Sequence, residues 1–448
     1  MTNTQRVIGL PAAIFTLVGF VVGASIYTVP AELASSSGAG VLLSFAIAAV
    51  LAVVGCVPTI QLACAFPVAG AGYVAVRELL SPAAGVVAAL AVLTASIVAV
   101  ALLAHGFAAY AVALWPMFDG HALTLAVSLV AVLTVMNLAG TRTAVAAQVV
   151  MSLAFILVLL VFGILGVQGD GLRQHAAVSV NTLGAIVLGI VPAYFSFLGF
   201  TLIGELAGDM RTPERTLPLT LGIGFALILI IYLLVTFALL AGSSQQQLAQ
   251  AVAPVMTVAS GIAGERFAQL VALSALLAAA TSVNGVLMMV SRDVLLLSRD
   301  DVLPRKLGAT SGEQDTPRPA IALIGLLSFA CIAVDSSIQA YAITTVIGFV
   351  VFQTLSAVAA YWLPRRAPQT YQQASYRFSE KTLRWNGGAL VGVSLVMLVL
   401  GVLSAPMEVA SYVAVMAILL VLLTPRVGRN ASPVRIDESP RRKAGFTQ

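Results

Sequence analysis

Charged residues are scarce in this sequence. The 448 residues include 23 Lys and Arg and 18 Asp and Glu, so charged side chains make up 9% of the chain, against roughly a quarter in a soluble domain. Hydrophobic residues make up 60%, and the mean hydropathy is +1.02. This balance excludes a water-soluble globular protein and predicts an all-α membrane protein whose main surroundings are the lipid bilayer.

Cysteine and histidine are equally rare, with three of each. The cysteines are scattered through hydrophobic segments and show neither metal-ligand nor disulfide spacing. The sequence contains no phosphate-binding Gly-Lys loop and no motif that pairs a nucleophile with a base. We therefore expect neither an enzyme nor an ATP-driven pump, and we expect no cofactor.

The gaps between charged residues outline the membrane segments, because an ionised side chain at the bilayer centre costs at least about 2.5 kcal/mol. Twelve gaps are long enough to hold a helix, although the ninth is short. They are residues 7–31, 33–76, 79–118, 120–141, 143–169, 174–204, 216–264, 267–291, 319–334, 336–364, 385–407 and 409–425. In the two longest gaps, the turn residues Ser35–Gly38 and Gly242–Gln245 predict that the surplus length is loop.

The basic residues set the orientation of these segments. With twelve spans and a cytoplasmic N-terminus, only Arg173 and Arg266 of the 23 Lys and Arg residues fall in outside loops, which leaves 21 inside. This distribution follows the positive-inside rule and predicts a plasma-membrane protein with both termini in the cytoplasm. The net charge of +5 therefore reflects cytoplasmic loops and does not indicate a nucleic-acid partner.

Two of the twelve segments are weak as helices at mid-membrane depth. Glycines interrupt the first segment at Gly19 and Gly23, and the sixth contains Pro192 and Gly199. A matched pair of interrupted helices indicates a transporter binding site, where freed amides can hold a carboxylate and freed carbonyls an ammonium group. The alternative is that these glycines serve only close helix packing. The predicted substrate-binding residues are Val22, Gly23, Ala24, Ser25, Ile26, Phe195, Ser196, Phe197, Gly199 and Thr201.

Further motifs lie in the loops after these segments. Residues 67–73 read Pro-Val-Ala-Gly-Ala-Gly-Tyr, residues 209–218 read Asp-Met-Arg-Thr-Pro-Glu-Arg-Thr-Leu-Pro, and residues 298–304 read Ser-Arg-Asp-Asp-Val-Leu-Pro. Together with the interrupted first and sixth segments, they resemble the motifs of the amino acid-polyamine-organocation superfamily of secondary transporters. The resemblance covers about residues 8–362 in register.

This resemblance implies the leucine-transporter type of fold, a 5+5 inverted repeat with two additional C-terminal helices, and transport by alternating access. The implied organisation is a cytoplasmic N-terminus (1–6), a first repeat (7–169), a second repeat (174–364), a cytoplasmic loop (365–384), the last two helices (385–425) and a basic tail (426–448). Two departures concern the substrate. Ala24 and Ser25 stand where the family commonly has Ser-Gly, and Thr201 stands where many members have an acidic residue. A cationic substrate therefore loses support.

The coupling ion is left open between sodium and a proton. In proton-coupled relatives a lysine occupies the sodium position in span 5, and the matching residue here is Phe155. The resemblance thus implies a neutral sodium site. Its predicted ligands are the carbonyls of Gly19, Val22 and Ala278 and the hydroxyls of Thr281 and Ser282. The alternative is that these hydroxyls only bond back to the preceding helical turn.

Glu205 and His105 are the candidates for a proton site, because ionisable groups at membrane depth are rare and functional. Glu205 has the alternative role of an ion-pair partner for Arg211 or Arg77, and His105 that of a packing residue. The aromatic residues Tyr27, Phe195 and Phe197 are predicted gates, with ordinary apolar packing as the alternative.

The sequence as a whole predicts a permease that imports a small amino acid or related amine with a cation. An amino acid exchanger and a proton symporter are the alternatives, followed by a channel or receptor.

Overall fold

A computed structural model describes residues 8–68, 70–167, 183–312, 316–334, 336–374 and 376–423. Within these ranges the chain is helical, and extended pairing is limited to two isolated bridges, Ile8 with Met210 and Ser311 with Thr316. The expected N-terminal segment (1–6) and the basic tail (426–448) lie outside the described residues.

Seventeen α-helices occur in the described ranges. They are α1 (Leu10–Val22), α2 (Val29–Ser37), α3 (Val41–Ala65), α4 (Ala71–Leu79), α5 (Pro82–Leu114), α6 (Ala122–Leu138), α7 (Thr141–Val167), α8 (Leu183–Phe195), α9 (Pro213–Gly242), α10 (Gln245–Gln250), α11 (Pro254–Ala263), α12 (Glu265–Arg299), α13 (Arg318–Ile332), α14 (Ile338–Arg366), α15 (Pro368–Gln373), α16 (Glu380–Ser404) and α17 (Pro406–Leu423). Short 3₁₀ helices cover Ala24–Tyr27, Gly38–Gly40, Pro116–Phe118 and Arg305–Gly308, and a longer one covers Leu198–Asp209.

Nine segments of the described chain are long and apolar enough to cross a membrane, namely Ala24–Ala65, α5, α7, Leu183–Asp209, α9, α12, α14, α16 and α17. Four shorter apolar helices accompany them, namely α1, α6, α11 and α13. Large apolar side chains are exposed on the outer helices, among them Val150 (67%) and Val421 (74%), as expected of surfaces that face lipid. The all-helical, multi-pass membrane fold is confirmed, whereas the number of twelve spans stays a prediction.

At buried charges the gaps end a helix too early. The structure continues α12 to Arg299, although the predicted segment stops at residue 291, and it extends the sixth segment beyond Glu205 to Asp209. Arg292, Asp293 and Glu205 are all buried. They lie against neighbouring helices rather than lipid, so their charges do not end a helix as the bilayer argument assumes.

The surplus predicted as loop after Gly242 instead forms α10 and α11. Ser244 begins α10 with a capping box, since its Oγ accepts from the Gln247 amide while Gln247 Oε1 accepts from the Ser244 amide. The serines interpreted as a turn are therefore a helix start. Similarly, the serines before Gly38 lie in α2.

The first and sixth segments are interrupted where the sequence places the weak points. In the first, α1 ends at Val22, a 3₁₀ turn follows, and α2 begins at Val29. In the sixth, α8 ends at Phe195 and the chain continues as the 3₁₀ helix Leu198–Asp209, far longer than the usual 3–4 residues. The start of the first segment and the end of the sixth are joined, because the Ile8 amide donates to Asp209 O (3.1 Å) and the Arg211 amide donates to Ile8 O (3.0 Å).

Candidate functional site

The first break depends on Gly23. Its φ of +40° lies in the region that glycine adopts freely and other residues adopt at a cost. A Cβ at this position would lie 2.0 Å from Ser282 Oγ on α12. Both the backbone conformation and the close approach of α12 therefore require glycine here.

Ser25 and Tyr232 occupy the opening that the break creates. Ser25 Oγ lies 3.1 Å from Val22 O, Tyr232 Oη lies 3.3 Å from the same carbonyl, and the two hydroxyls are 2.6 Å apart. One hydroxyl can thus donate to the carbonyl while the other donates to its neighbour. The carbonyl freed at the end of α1 is satisfied in this way without leaving the protein interior.

An aromatic cluster connects the two breaks. The Phe197 ring lies 5.5 Å from the Tyr232 ring and 5.6 Å from the Phe225 ring, and the Phe45 ring lies 5.3 Å from that of Tyr232. Tyr232 therefore contacts the first break with its hydroxyl and the second break with its ring. Tyr232 carried no signal of its own in the sequence, because tyrosine in an apolar helix is ordinary.

Phe20 provides a second connection between the breaks. A Cβ on Gly199 would lie 2.6 Å from the Phe20 ring, and a Cβ on Gly285 would lie 2.4 Å from its other edge. The ring thus fits between two glycines, one in the sixth segment and one on α12. Gly199 serves close packing here, as the alternative interpretation of the glycines proposed.

The structure brings together four of the five oxygens predicted to bind sodium. Thr281 Oγ1 lies 2.7 Å from both Gly19 O and Ala278 O, and Ser282 Oγ lies 3.4 Å from Gly19 O. Ser282 Oγ also donates to Phe20 O at 2.7 Å. The fifth oxygen, Val22 O, instead accepts from Ser25 or Tyr232.

These oxygens are joined by hydrogen bonds. Two oxygens at right angles around a hard cation, each at about 2.3–2.6 Å from it, lie roughly 3.3–3.7 Å apart. The Thr281 contacts at 2.7 Å are shorter than that. A sodium ion would therefore have to separate the Thr281 hydroxyl from both carbonyls.

The two candidate proton sites lie in different surroundings. His105 is half-buried on α5, where its Nδ1 lies 2.8 Å from Ala101 O and its ring stacks on Tyr341. Glu205 is 1% exposed and accepts the Gly72 amide at Oε1 (3.2 Å). Neither Arg77 nor Arg211 bonds to Glu205 in the described part of the chain, so the ion-pair alternative is not realised.

The predicted gate residues do not form one cluster. Tyr27 donates to or accepts from Ser274 Oγ at 2.7 Å and packs edge-on against Tyr110 at 5.5 Å. Phe197 belongs to the aromatic cluster, and Phe195 is half-buried at the end of α8. Thr201 lies further along the sixth segment, beside Glu205 rather than at the break. The role of these residues as gates stays a prediction.

The amino acid permease family model matches residues 8–424 of the chain. The chain belongs to the amino acid permease family. A transporter of Mycobacterium tuberculosis named as uncharacterised is 30% identical to this permease over 362 residues, which is 80% of each chain. The cationic amino acid transporter 9, chloroplastic, of Arabidopsis thaliana is 26% identical over 321 residues, 67% of this chain and 56% of the relative. The human cystine/glutamate transporter is 23% identical over 335 residues, 71% of this chain and 66% of the relative.

The family match and these relatives together identify this permease as a membrane transporter of the amino acid permease family. This finding confirms the family expected from the loop motifs.

Residues in and next to those loop motifs form a cluster of ion pairs, which we call the charged end of the permease. It consists of Asp209, Arg292, Arg77 and Asp300. Arg292 donates to Asp209 Oδ2 and to Thr141 Oγ1, both at 3.1 Å, and so joins α12 to the sixth segment. Arg77 on α4 forms an ion pair with Asp300, which also accepts from Tyr73. Burial and the hydrogen bond to Asp300 raise the pKa of Tyr73, so its hydroxyl remains a donor at neutral pH.

The structure also contains a buried amide network that the sequence did not predict. Asn137 Nδ2 donates to Asn284 Oδ1 (2.7 Å), Asn284 Nδ2 donates to Gln148 Oε1 (2.7 Å), and Gln148 Nε2 donates to Thr16 O (3.5 Å). The network joins α6, α12, α7 and α1, and it meets α1 at Thr16, ahead of the break at Gly23. Uncharged amides within three apolar segments were the available signal, but nothing in the sequence pairs residues 147 positions apart.

Proposed function

We propose that this permease is a secondary active transporter that imports a small amino acid or related amine across the plasma membrane by alternating access. The proposal includes twelve spans in the 5+5 arrangement. The shorter apolar helices α1, α6 and α13 are assigned to spans 1, 4 and 9, and α16 and α17 to the last two. The charged end is assigned to the cytoplasm. The observation that carries the proposal is the meeting of two broken helices around Tyr232.

The first break supplies groups for both ends of an amino acid. The first amides of a helix have no partner within that helix, so the 3₁₀ turn from Ala24 and the start of α2 present donors to a carboxylate without any cationic side chain. The carbonyl of Val22 is an acceptor for an ammonium group. It now bonds to Ser25 or Tyr232, so a bound ammonium group would take the place of one of these hydroxyls.

The break is shut off from both sides in this structure. Val22, Ala24, Ser25, Ile26 and Tyr27 are each at most 4% exposed. A site that is buried from both ends corresponds to the occluded stage of alternating access, in which neither side of the membrane reaches the substrate. Entry of an amino acid requires the aromatic cluster around Phe197 to part.

The geometry supports a proton as the coupling ion better than sodium. The Thr281 and Ser282 hydroxyls are already hydrogen-bonded to Gly19 O, Ala278 O and Phe20 O, whereas Glu205 is a buried carboxyl without a cationic partner in the described chain. Sodium binding at the Thr281 oxygens is the second candidate, favoured by the convergence of four predicted ligands.

Reconstitution into liposomes tests the proposal. Proteoliposomes preloaded with an unlabelled amino acid mixture should take up a ¹⁴C-labelled mixture by counterflow. An ohmic ion current without counterflow would instead indicate a channel. Net accumulation under an imposed pH gradient separates a proton symporter from an obligatory exchanger, which shows counterflow only. Accumulation that requires sodium in place of choline would favour the second candidate.

A further inference from the structure

A small cavity next to Glu205 is lined by two polar atoms that have no hydrogen-bond partner in the described chain. Its volume is about 10 Å³, at the lower limit for a single water molecule. Glu205 Oε2 and Ser356 Oγ are both buried and make no hydrogen bond with the described chain. Thr59 and Thr201 also line this cavity. A carboxyl oxygen and a hydroxyl that face one water-sized space can both accept hydrogen bonds from a proton donor placed there.

A second buried carboxyl lies beside Glu205. Asp293 on α12 is 2% exposed, and its carboxyl is close enough to Glu205 for the two to interact electrostatically. The turn Gly70–Gly72 contacts both residues. The amides of Gly70 and Gly72 donate to Glu205 O and Oε1, each at 3.2 Å, and a Cβ on Gly70 would lie 3.8 Å from Asp293 Oδ1.

The cations nearby are engaged elsewhere. The helices that pack against Leu198–Asp209 are α1, α3, α4, α9, α12 and α14. Of these, α1 and α3 carry no charged side chain, and α3 contributes only the thiols of Cys56 and Cys64. The titratable and charged groups on the other four are Tyr73, Arg77 and Glu78; Glu214, Arg215 and Tyr232; Glu265, Arg266, Arg292 and Arg299; and Tyr341, Tyr361, Arg365 and Arg366.

Of these groups, Arg292 is paired with Asp209, and Arg77 with Glu78 and Asp300. Arg366 donates to the backbone oxygen of Leu79. In the described chain no arginine forms an ion pair with Glu205 or Asp293.

Two buried carboxyls without a cation cannot both be ionised, because each charge is expensive to bury and the two repel each other. We propose that Glu205 and Asp293 together hold one exchangeable proton, which is the coupling proton of the transport cycle. The proton is retained while the Gly70–Gly72 turn covers the pair. It leaves to water at the charged end when α4 separates from α12 and the Arg77–Asp300 ion pair between them breaks. The role in coupling rests on the proposed function.

The glycines of this turn allow the close cover. A Cβ on Gly72 would lie 2.5 Å from both Glu205 Oε1 and the Phe352 ring, and Gly70 has a φ of +71°. The backbone therefore approaches the carboxyl directly, and the Gly72 amide provides the only hydrogen bond to the Glu205 carboxyl from the described chain. A movement of this turn changes the solvation of the pair at once.

Infrared spectroscopy of the purified permease tests whether a proton is held. The carbonyl-stretch band of a protonated carboxylic acid should be present at neutral pH in wild type and should be lost in Glu205→Gln/Asp293→Asn. The matched control is Glu380→Gln, which removes an exposed carboxylate at the start of α16 and should leave the band unchanged. A spectrum that the double variant does not alter would overturn the proposal.

Liposome transport tests the coupling with a ¹⁴C-labelled amino acid mixture. A gradient of one pH unit can sustain about tenfold accumulation of a neutral substrate with one proton. Glu205→Gln, a neutral isostere of the protonated acid, should retain counterflow but lose this accumulation, whereas Glu380→Gln should keep both. Accumulation that persists in Glu205→Gln would refute the coupling role. If wild type itself shows no counterflow, the proposed function fails, and the infrared result still decides whether the pair holds a proton.

Discussion

Replacing Gly23 by alanine tests whether the first break has the conformation described. Gly23 has a φ of +40° and a ψ of −155°, a sparsely populated backbone conformation that costs an L-residue about 1–3 kcal/mol. The added methyl would also lie 2.0 Å from Ser282 Oγ and 3.0 Å from Ser282 Cβ, and overpacking of this kind costs about 1–3 kcal/mol. We therefore expect Gly23→Ala to destabilise the occluded state by about 2–6 kcal/mol. The bulkier Gly23→Val should abolish counterflow.

Part of this cost should be recovered by a change on the neighbouring helix. Ser282→Ala removes the Oγ that the new methyl meets but leaves the Cβ, so the double variant Gly23→Ala/Ser282→Ala should be more stable than the sum of the single effects by about 1–2 kcal/mol. The thermal midpoint of the purified permease and amino acid counterflow both report the effect. Double-mutant cycles on these measurements isolate the contact.

The matched control is Gly222→Ala. This glycine lies on an exposed face of α9 and has no atom within 4 Å of an added Cβ, so the change should be neutral or slightly stabilising. Wild-type stability and counterflow in Gly23→Ala would refute the conformation assigned to the break. An additive Ser282→Ala effect would refute the contact.

The remaining predictions concern the Tyr232 contact, the charged end and the ion. Tyr232→Phe removes the hydroxyl shared with Ser25 and should lower stability by about 1–3 kcal/mol, measured as a lower thermal midpoint; an unchanged midpoint and unchanged counterflow would show that the hydroxyl does not hold the break. Asp209→Asn leaves Arg292 buried without its partner and should cost about 3–5 kcal/mol, and Arg292→Met in the same chain should recover part of it. Equal midpoints for the single and double variants would contradict the pairing. Replacing sodium by choline should leave uptake unchanged. Thr281→Val should then lower stability but keep uptake driven by the proton gradient; collapse of uptake in choline would favour sodium.

The positions of the helices could be largely inferred from where charges are missing. The rule works because lipid excludes ionised groups, and it fails where a charge faces protein instead. Arg292 and Asp293 are buried on α12 against neighbouring elements, so the helix continues past both of them. A sequence does not show whether a residue in an apolar segment lies against protein or against lipid. Only the three-dimensional packing distinguishes the two.

The breaks were predicted because glycine and proline act locally. Gly23 disrupts a helix by its own backbone properties, so its effect is visible in a single segment. The partners that complete the site were not predictable in this way. Tyr232 meets Ser25 across 207 positions of sequence, and Asp293 lies near Glu205 where α12 packs against the sixth segment. Such pairings depend on how the helices pack.

The length of the 3₁₀ helix Leu198–Asp209 limits how the charged end can move. A 3₁₀ helix rises about 2.0 Å per residue and an α-helix 1.5 Å, so conversion of these 12 residues to α-helix would shorten the segment by roughly 6 Å. This is about one helical turn, so the 3.1 Å ion pair between Asp209 and Arg292 would break. The segment is therefore longer than an α-helix of the same residues. Its conversion to α-helix would move Asp209 away from α12 without any rotation of the bundle.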